Sequence, residues 1–298
     1  MDIFISTDSV EKQEAIETIF ASLPDRNVKV VLIENRSRDI SALLVGFRQY
    51  IMDYDVVCFA HDKKTNYWKP FIVGESYAYH CFENVLGSRE YIHNILKTFK
   101  DNPRLGLLMP PTPNFGPWSS LPGNEWLLNY DATEKYAREL RITVPMSRDT
   151  APVAPLGTIF WFRTKALALL FDQNYTYEDF PVEPTRVTDG TIMHSLERIY
   201  PFAAQQAGFY SAWVMTLSYS QLEITNYHKI TKDYHVALAG KIGFESREHY
   251  LNLINQGNSL NQEMLAESKL KTRVKKLILR IAGPRGLNKA SSAWRKVK

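Results

Sequence analysis

Five apolar residues in a row, Val56-Val-Cys-Phe-Ala60, run straight into His61-Asp-Lys-Lys64. A run this short, rich in β-formers and without a polar face, reads as a strand buried on both sides of a sheet. In an open α/β sheet, ligands bind just beyond the carboxyl ends of the strands. The polar tetrad therefore sets an acid, an imidazole and two cations where a charged ligand would land.

The preceding residues supply a matching frame. Asp2–Thr7 alternates like a strand and gives way to Ser6-Thr-Asp-Ser9, the pattern of a helix N-cap. Ile16, Ile19, Phe20 and Leu23 follow at helical spacing, and Val28–Ile33 is the next strand. It closes in Glu34-Asn-Arg-Ser-Arg-Asp39, after which Ile40, Leu43, Leu44, Phe47 and Ile51 form a helical stripe. This β-α-β-α-β order is the grammar of a parallel sheet, with the Glu34–Asp39 and His61–Lys64 clusters lining one crevice.

Further along, 78–82 and 91–99 read as helices and 105–109 as a short buried strand. Pro110-Pro-Thr-Pro-Asn-Phe-Gly-Pro-Trp118 is a rigid loop. Residues 131–140 are a helix, 155–163 an apolar strand and 165–171 a short helix. The acid-rich loop 177–184 leads to Asp189-Gly-Thr-Ile-Met-His-Ser-Leu-Glu-Arg198. Ile192, Leu196 and Ile199 share one helical face there, with Asp189 at or near the N-cap. His194 and Glu197 lie three apart on a shared face, and Arg198 is four from His194. A strand is expected around 216–219, and the chain beyond Ser246 reads as helical.

At 298 residues, 45% hydrophobic and 23% charged, the composition is that of a globular protein. No apolar run approaches the ~20 residues of a membrane-spanning helix, and the N-terminus lacks the pattern of a secretory signal. Two cysteines make neither a disulfide framework nor a zinc set and fit a reducing cytoplasm. The net charge of +4 is uneven, because from Lys269 onward there are eleven Lys and Arg and no Asp or Glu. The first 268 residues thus carry 25 basic and 32 acidic groups. Leu270, Val274, Leu277, Ile278 and Ile281 fall on one stripe of the basic tail. That arrangement suits an anionic membrane surface, and no nucleic acid is expected as a partner.

The chain has no P-loop, no G-x-G-x-x-G, no G-x-S-x-G and no H-E-x-x-H, which argues against the corresponding nucleotidases, dehydrogenases, hydrolases and zinc peptidases. An acid at a strand end and a second at a later helix start suit glycosyl transfer. The leaving nucleotide diphosphate needs a cation or a carboxylate-held metal, and the acceptor hydroxyl needs a carboxylate base.

Four segments together resemble the rhamnan synthesis protein F family: Asn35-Arg-Ser-Arg-Asp-Ile-Ser-Ala-Leu43, Tyr54–Lys64, Gly157-Thr-Ile-Phe-Trp-Phe-Arg163 and Asp189–Arg198. The resemblance spans roughly Asp2 to Val214. It implies a glycosyltransferase of cell-surface polysaccharide synthesis with a GT-A-like, Rossmann-like, mostly parallel sheet flanked by helices. That domain would cover 1–245, with a helical, basic C-terminal extension over 246–298. It further implies a thymidine-diphosphate-rhamnose donor, a lipid-linked glycan acceptor, inversion at the sugar, and work at the inner face of the cell membrane. Asp62 takes the place of the metal-binding acid, so a divalent cation (Mg or Mn) is a candidate cofactor. The second acid of a D-x-D motif is absent, and Lys63 or Lys64 offers its charge instead. Asp189 stands where the general base sits, and Arg198 is a candidate diphosphate or base-orienting contact. Asn35, Arg38, Asp39, His61, Trp161, His194 and Glu197 complete the expected substrate-binding set. Two departures stand out. The family usually has Arg-Gly-Arg-Asp where this chain has Arg36-Ser-Arg-Asp39. Family members also usually carry another strand and helix ahead of Asp2, so the chain reads as opening one β-α unit late. The rival reading is a non-catalytic glycan- or partner-binding remnant of the same fold.

Overall fold

The structure, a computed structural model, describes residues 1–22, 27–37, 39–62, 70–119, 121–182, 190–242 and 252. The chain divides into two compact units, Met1–Ile230 and Thr231–Lys298. In the second unit the described part is the end of one long helix and Asn252, so the basic tail lies outside the described residues.

The first unit opens with β1 (Asp2–Thr7), α1 (Val10–Phe20) and β2 (Asn27–Leu32). β1 and β2 pair in parallel from Asp2↔Asn27 to Thr7↔Leu32. Ser9 caps α1, its hydroxyl accepting the Lys12 amide at 3.3 Å. The expected apolar stripe of α1 does not reach the core: no residue of α1 is buried, and Ile19 is 67% exposed. Next comes a wide turn, Ala42–Gly46, continuing into α2 (Arg48–Ile51). Gly46 approaches Ile33 so closely that an added Cβ would stand 2.7 Å from its Cγ2.

The remaining elements of this unit are β3 (Val56–Phe59), α3 (Ile72–Leu86), α4 (Arg89–Asp101), β4 (Leu105–Met109), α5 (Tyr130–Glu139), β5 (Phe160–Arg163), α6 (Ala168–Phe171), α7 (Ile192–Gln206) and β6 (Tyr210–Trp213). They end in α8 (Leu217–Ile242), which continues into the second unit. A four-stranded sheet has the order β3-β5-β4-β6. β4 and β6 are parallel, but β5 runs antiparallel to both β3 and β4. The architecture is mixed α/β, with β5 reversed among strands that share one direction, rather than the mostly parallel sheet expected.

Side-chain alternation explains why β4 and β5 look apolar throughout. Leu107, Met109, Phe160 and Phe162 face one cluster, which also holds Ala137, Phe171, Leu196 and Tyr200 from α5, α6 and α7. Leu105, Leu108, Ile159 and Trp161 face the other, built with Cys81, Val85, Ile95 and Phe99 from α3 and α4. The sheet is therefore the middle of three layers. The expected strand at 216–219 is instead the entry to α8. The Tyr219 amide donates to Thr216 Oγ1 at 3.2 Å, a cap that turns the chain into a helix.

Because β5 is reversed, its start lies at the same end of the sheet as the carboxyl ends of β3 and β4. The functional side chains gather there.

Candidate functional site

β1, β2 and β3 each deliver polar groups just past their last residue. Asp8 follows β1, and its two oxygens hold Lys12 Nζ at 2.5 Å and Asn35 Nδ2 at 3.1 Å. Asn35 lies beyond β2, so this bond ties two strand ends together. Asp62, exposed beyond β3, acts electrostatically on Lys12. The Lys12 pKa is raised, chiefly by the hydrogen bond to Asp8, with a smaller contribution from Asp62.

His61 joins this edge to the start of β5. Its Nε2 lies 2.9 Å from the Gly157 carbonyl and 3.6 Å from Asp39 Oδ2, and its Nδ1 is 3.0 Å from the Asp62 carbonyl. The His61 and Asp39 side chains are 19% and 12% exposed, which leaves a path to solvent. Both ring nitrogens face acceptors, and a neutral imidazole has one N–H to give. Two clusters distant in sequence, 34–39 and 61–62, are thus in contact.

The Gly157 carbonyl is held by an unusual turn. Gly157 and Thr158 are both left-handed, with φ of 84° and 53°. Such a conformation is costly for threonine and persists only where its surroundings fix it. Glu197 does so from α7: its Oε1 accepts the Gly157 amide, with Thr158 Oγ1 at 3.4 Å. Glu197 Oε2 accepts from Arg198 Nη1 at 2.6 Å. The Arg198 guanidinium also donates to the Glu125 carbonyl through Nε and to the His194 carbonyl through Nη1, each at 3.1 Å. At 2% and 9% exposure, Arg198 and Glu197 form a buried, hydrogen-bonded pair. Arg198, expected as a diphosphate contact, is committed to these internal partners and positions the turn.

The other expected residues are placed as follows. His194 is half-buried, with Nδ1 2.8 Å from Thr191 Oγ1, and Thr191, two residues past Asp189 in sequence, is the N-cap of α7. Trp161 points away from this edge. It is 4% exposed in the core beneath α3, its indole N–H donating to the Val85 carbonyl at 2.9 Å. Asp189, Arg38, Lys63 and Lys64 lie outside the described residues. The segment containing Asp189 has well-anchored flanks: Val182 bridges to Arg36, and the Gly190 amide donates to Asn129 Oδ1 at 2.9 Å. Among the described residues no three His, Cys, Asp or Glu stand together as metal ligands. Sequence reasoning missed Asp8, Lys12 and Tyr77. The Ser-Thr-Asp-Ser run had signalled a helix cap without showing that its acid also accepts from Asn35 beyond β2. Tyr77 donates to the Leu156 carbonyl at 2.9 Å, and burial pushes its phenol pKa up.

The family model for rhamnan synthesis protein F matches residues 1–209, taking in every element that builds this edge. The chain belongs to the rhamnan synthesis protein F family. Family membership links it to rhamnan and polysaccharide synthesis. The WxcX proteins of two strains of Xanthomonas campestris pv. campestris, whose function is uncharacterised, are each 27% identical to it over 176 residues. That stretch is 59% of this chain and 24% of each relative, so the match spans about a quarter of the curated proteins. No solved structure matches the chain. Among the described residues of this family member, no helix is long and apolar enough to cross a membrane.

Proposed function

We propose that this chain is a glycosyltransferase that moves a sugar, rhamnose by family habit, from a thymidine-diphosphate donor to a lipid-linked glycan. The observation that carries the reading is the meeting of polar groups past three strand ends: Lys12 and Asn35 both bond Asp8, Asp62 acts on Lys12, and His61 lies beside Asp39. A nucleotide sugar is accommodated at such an edge in an open sheet.

In the proposed reaction an acceptor hydroxyl oxygen attacks the anomeric carbon from the side opposite the diphosphate. The C–O bond to the diphosphate breaks, its electron pair leaves with the phosphate oxygen, and the configuration inverts. Asp189 takes the hydroxyl proton. Lys63 and Lys64, next to Asp62 in sequence, supply positive charge to the leaving group, with Lys12 contributing from α1. His61 and Asp39 hold the rim, while Glu197 and Arg198 keep the Gly157 turn in place. Asp62 is the residue offered to a divalent cation such as Mg or Mn. The described residues alone do not complete such a site, so the steps above are assigned to the chain's own groups. The basic tail supports docking on an anionic membrane, which would keep enzyme and lipid-linked acceptor on one surface.

Turnover of thymidine-diphosphate-rhamnose tests this. Asp189→Asn should lower it by ~10² or more with donor affinity little changed. Asp62→Asn should abolish transfer without altering the melting temperature, because Asp62 is exposed. Normal turnover in both variants would remove these acids from the mechanism. A wild-type protein that binds glycan without transferring sugar would favour the non-catalytic reading.

A further inference from the structure

The loop after β4 has an unusual construction. Residues 110–114, three of them proline, are buried although they form no regular structure. Buried irregular backbone is costly unless its polar groups are bonded, and here α3 bonds one of its carbonyls while its own polar side chains are bonded by Glu125 and α8. His80 Nε2 donates to the Pro111 carbonyl at 2.9 Å, and Thr112 Oγ1 donates to Glu125 at 2.9 Å. Asn226 Nδ2, on α8, donates to Asn114 Oδ1 at 3.1 Å. The loop surfaces only at its tip, where a short turn, Gly116–Trp118, carries exposed Gly116 and Pro117 and half-buried Trp118. The Trp118 ring rests on Tyr77, centroids 5.2 Å apart at 41°.

Tyr77 links that tip to the site. Its hydroxyl bonds the Leu156 carbonyl, one residue before the left-handed turn that Glu197 holds. Glu125, which anchors Thr112, is itself gripped at its carbonyl by Arg198. The strand order fixes the sides. β5 lies between β3 and β4, so its Gly157 turn separates the His61–Asp62 edge from the Trp118 loop. A donor at the ends of β1–β3 leaves the β4 side for a second molecule.

We infer that Trp118, tilted against Tyr77 at the tip of a proline loop whose buried groups are bonded, is the platform for a sugar ring of the acceptor glycan. This rests on the transferase reading for the sugar's identity, but not for the platform. A pyranose presents one flat C–H face, and an indole matches it in size and apolarity. A loop already rigid loses little entropy on binding, so one ring contact contributes most of its value to affinity. The plainer role, an aromatic plug that only holds the loop on Tyr77, predicts altered melting and no ligand-specific effect.

Calorimetric titration of the full chain separates these. The probes are a synthetic rhamnose trisaccharide and thymidine diphosphate, against wild type, Trp118→Ala and Trp118→Phe. The trisaccharide should bind wild type, bind Trp118→Ala ~10-fold or more weakly, the scale of one lost stacking contact, and bind Trp118→Phe nearly as well as wild type. Thymidine diphosphate should bind all three alike. Equal trisaccharide affinity in wild type and Trp118→Ala, no trisaccharide binding by wild type, or a loss confined to thymidine diphosphate would each overturn the inference. Wild type that binds the trisaccharide through Trp118 but not thymidine diphosphate would leave the platform standing and sink the transferase reading.

Discussion

Ser37 occupies the position where the family's usual turn has glycine, and its backbone is left-handed at φ 48°. It is fully buried, its amide donates to the Pro181 carbonyl at 3.0 Å, and its hydroxyl has no hydrogen-bond partner among the described residues. Ser37→Gly should therefore stabilise the protein. A non-glycine residue in this conformation costs ~1–2 kcal/mol, and an unsatisfied buried hydroxyl costs ~1–3 kcal/mol. Against that, losing the buried Cβ gives up about 1 kcal/mol, and glycine's freedom in the unfolded chain takes back ~0.5–1 kcal/mol. The balance is a gain of about 1–2 kcal/mol, or roughly 2–8 °C in melting temperature for a domain of this size. Ser37→Ala isolates the hydroxyl, since it removes the oxygen and keeps the strained Cβ; it should gain about as much as glycine, because the strain that glycine relieves is offset by its lost Cβ and its freer unfolded chain. Urea unfolding at unchanged slope is the assay. A Ser37→Gly or Ser37→Ala protein that melts lower than wild type would refute the reasoning.

Glu197→Ala should destabilise by ~3–5 kcal/mol, because it strands the Arg198 charge in the interior and frees the Gly157–Thr158 turn. The Glu197→Met, Arg198→Met double variant should cost clearly less than the sum of its single changes, and strict additivity would show that the pair is not coupled. His80 carries a pH signature, since burial depresses its pKa to about 4 from an ordinary 6.5. A depressed histidine pKa means the unfolded chain binds the proton more readily. Its contribution is then complete above pH 6.5, falls as the pH drops through that value, and is lost by about pH 4. The loss is about 3 kcal/mol. Stability measured against pH for wild type and His80→Gln should differ in slope across that window, and parallel curves would contradict the assignment.

Much of the frame was legible in the sequence. β1, β2, β3 and β4 stand where alternation and apolar runs put them, and the 34–39 and 61–62 clusters do meet. What periodicity could not carry is strand direction. Phe160-Trp-Phe-Arg163 reads the same whether β5 runs with its neighbours or against them, and only pairing across the sheet decides. Trp161 shared a segment with Gly157, yet alternation sends it to the opposite face from Phe160 and Phe162. Thr216-Leu-Ser-Tyr219 has strand-like composition, but a threonine hydroxyl three residues before a free amide makes a cap. The Glu197–Gly157 clamp joins residues 40 apart and has no local pattern at all.

Hydrogen–deuterium exchange of the full chain, with and without thymidine-diphosphate-rhamnose, tests the central claim most directly. Donor binding at the strand ends predicts slowed exchange at 8–12, 35–39, 61–64 and 155–158, with α4 and the start of β6 unchanged. Saturating donor that protects none of those segments, or protects only a distant one, would contradict the account.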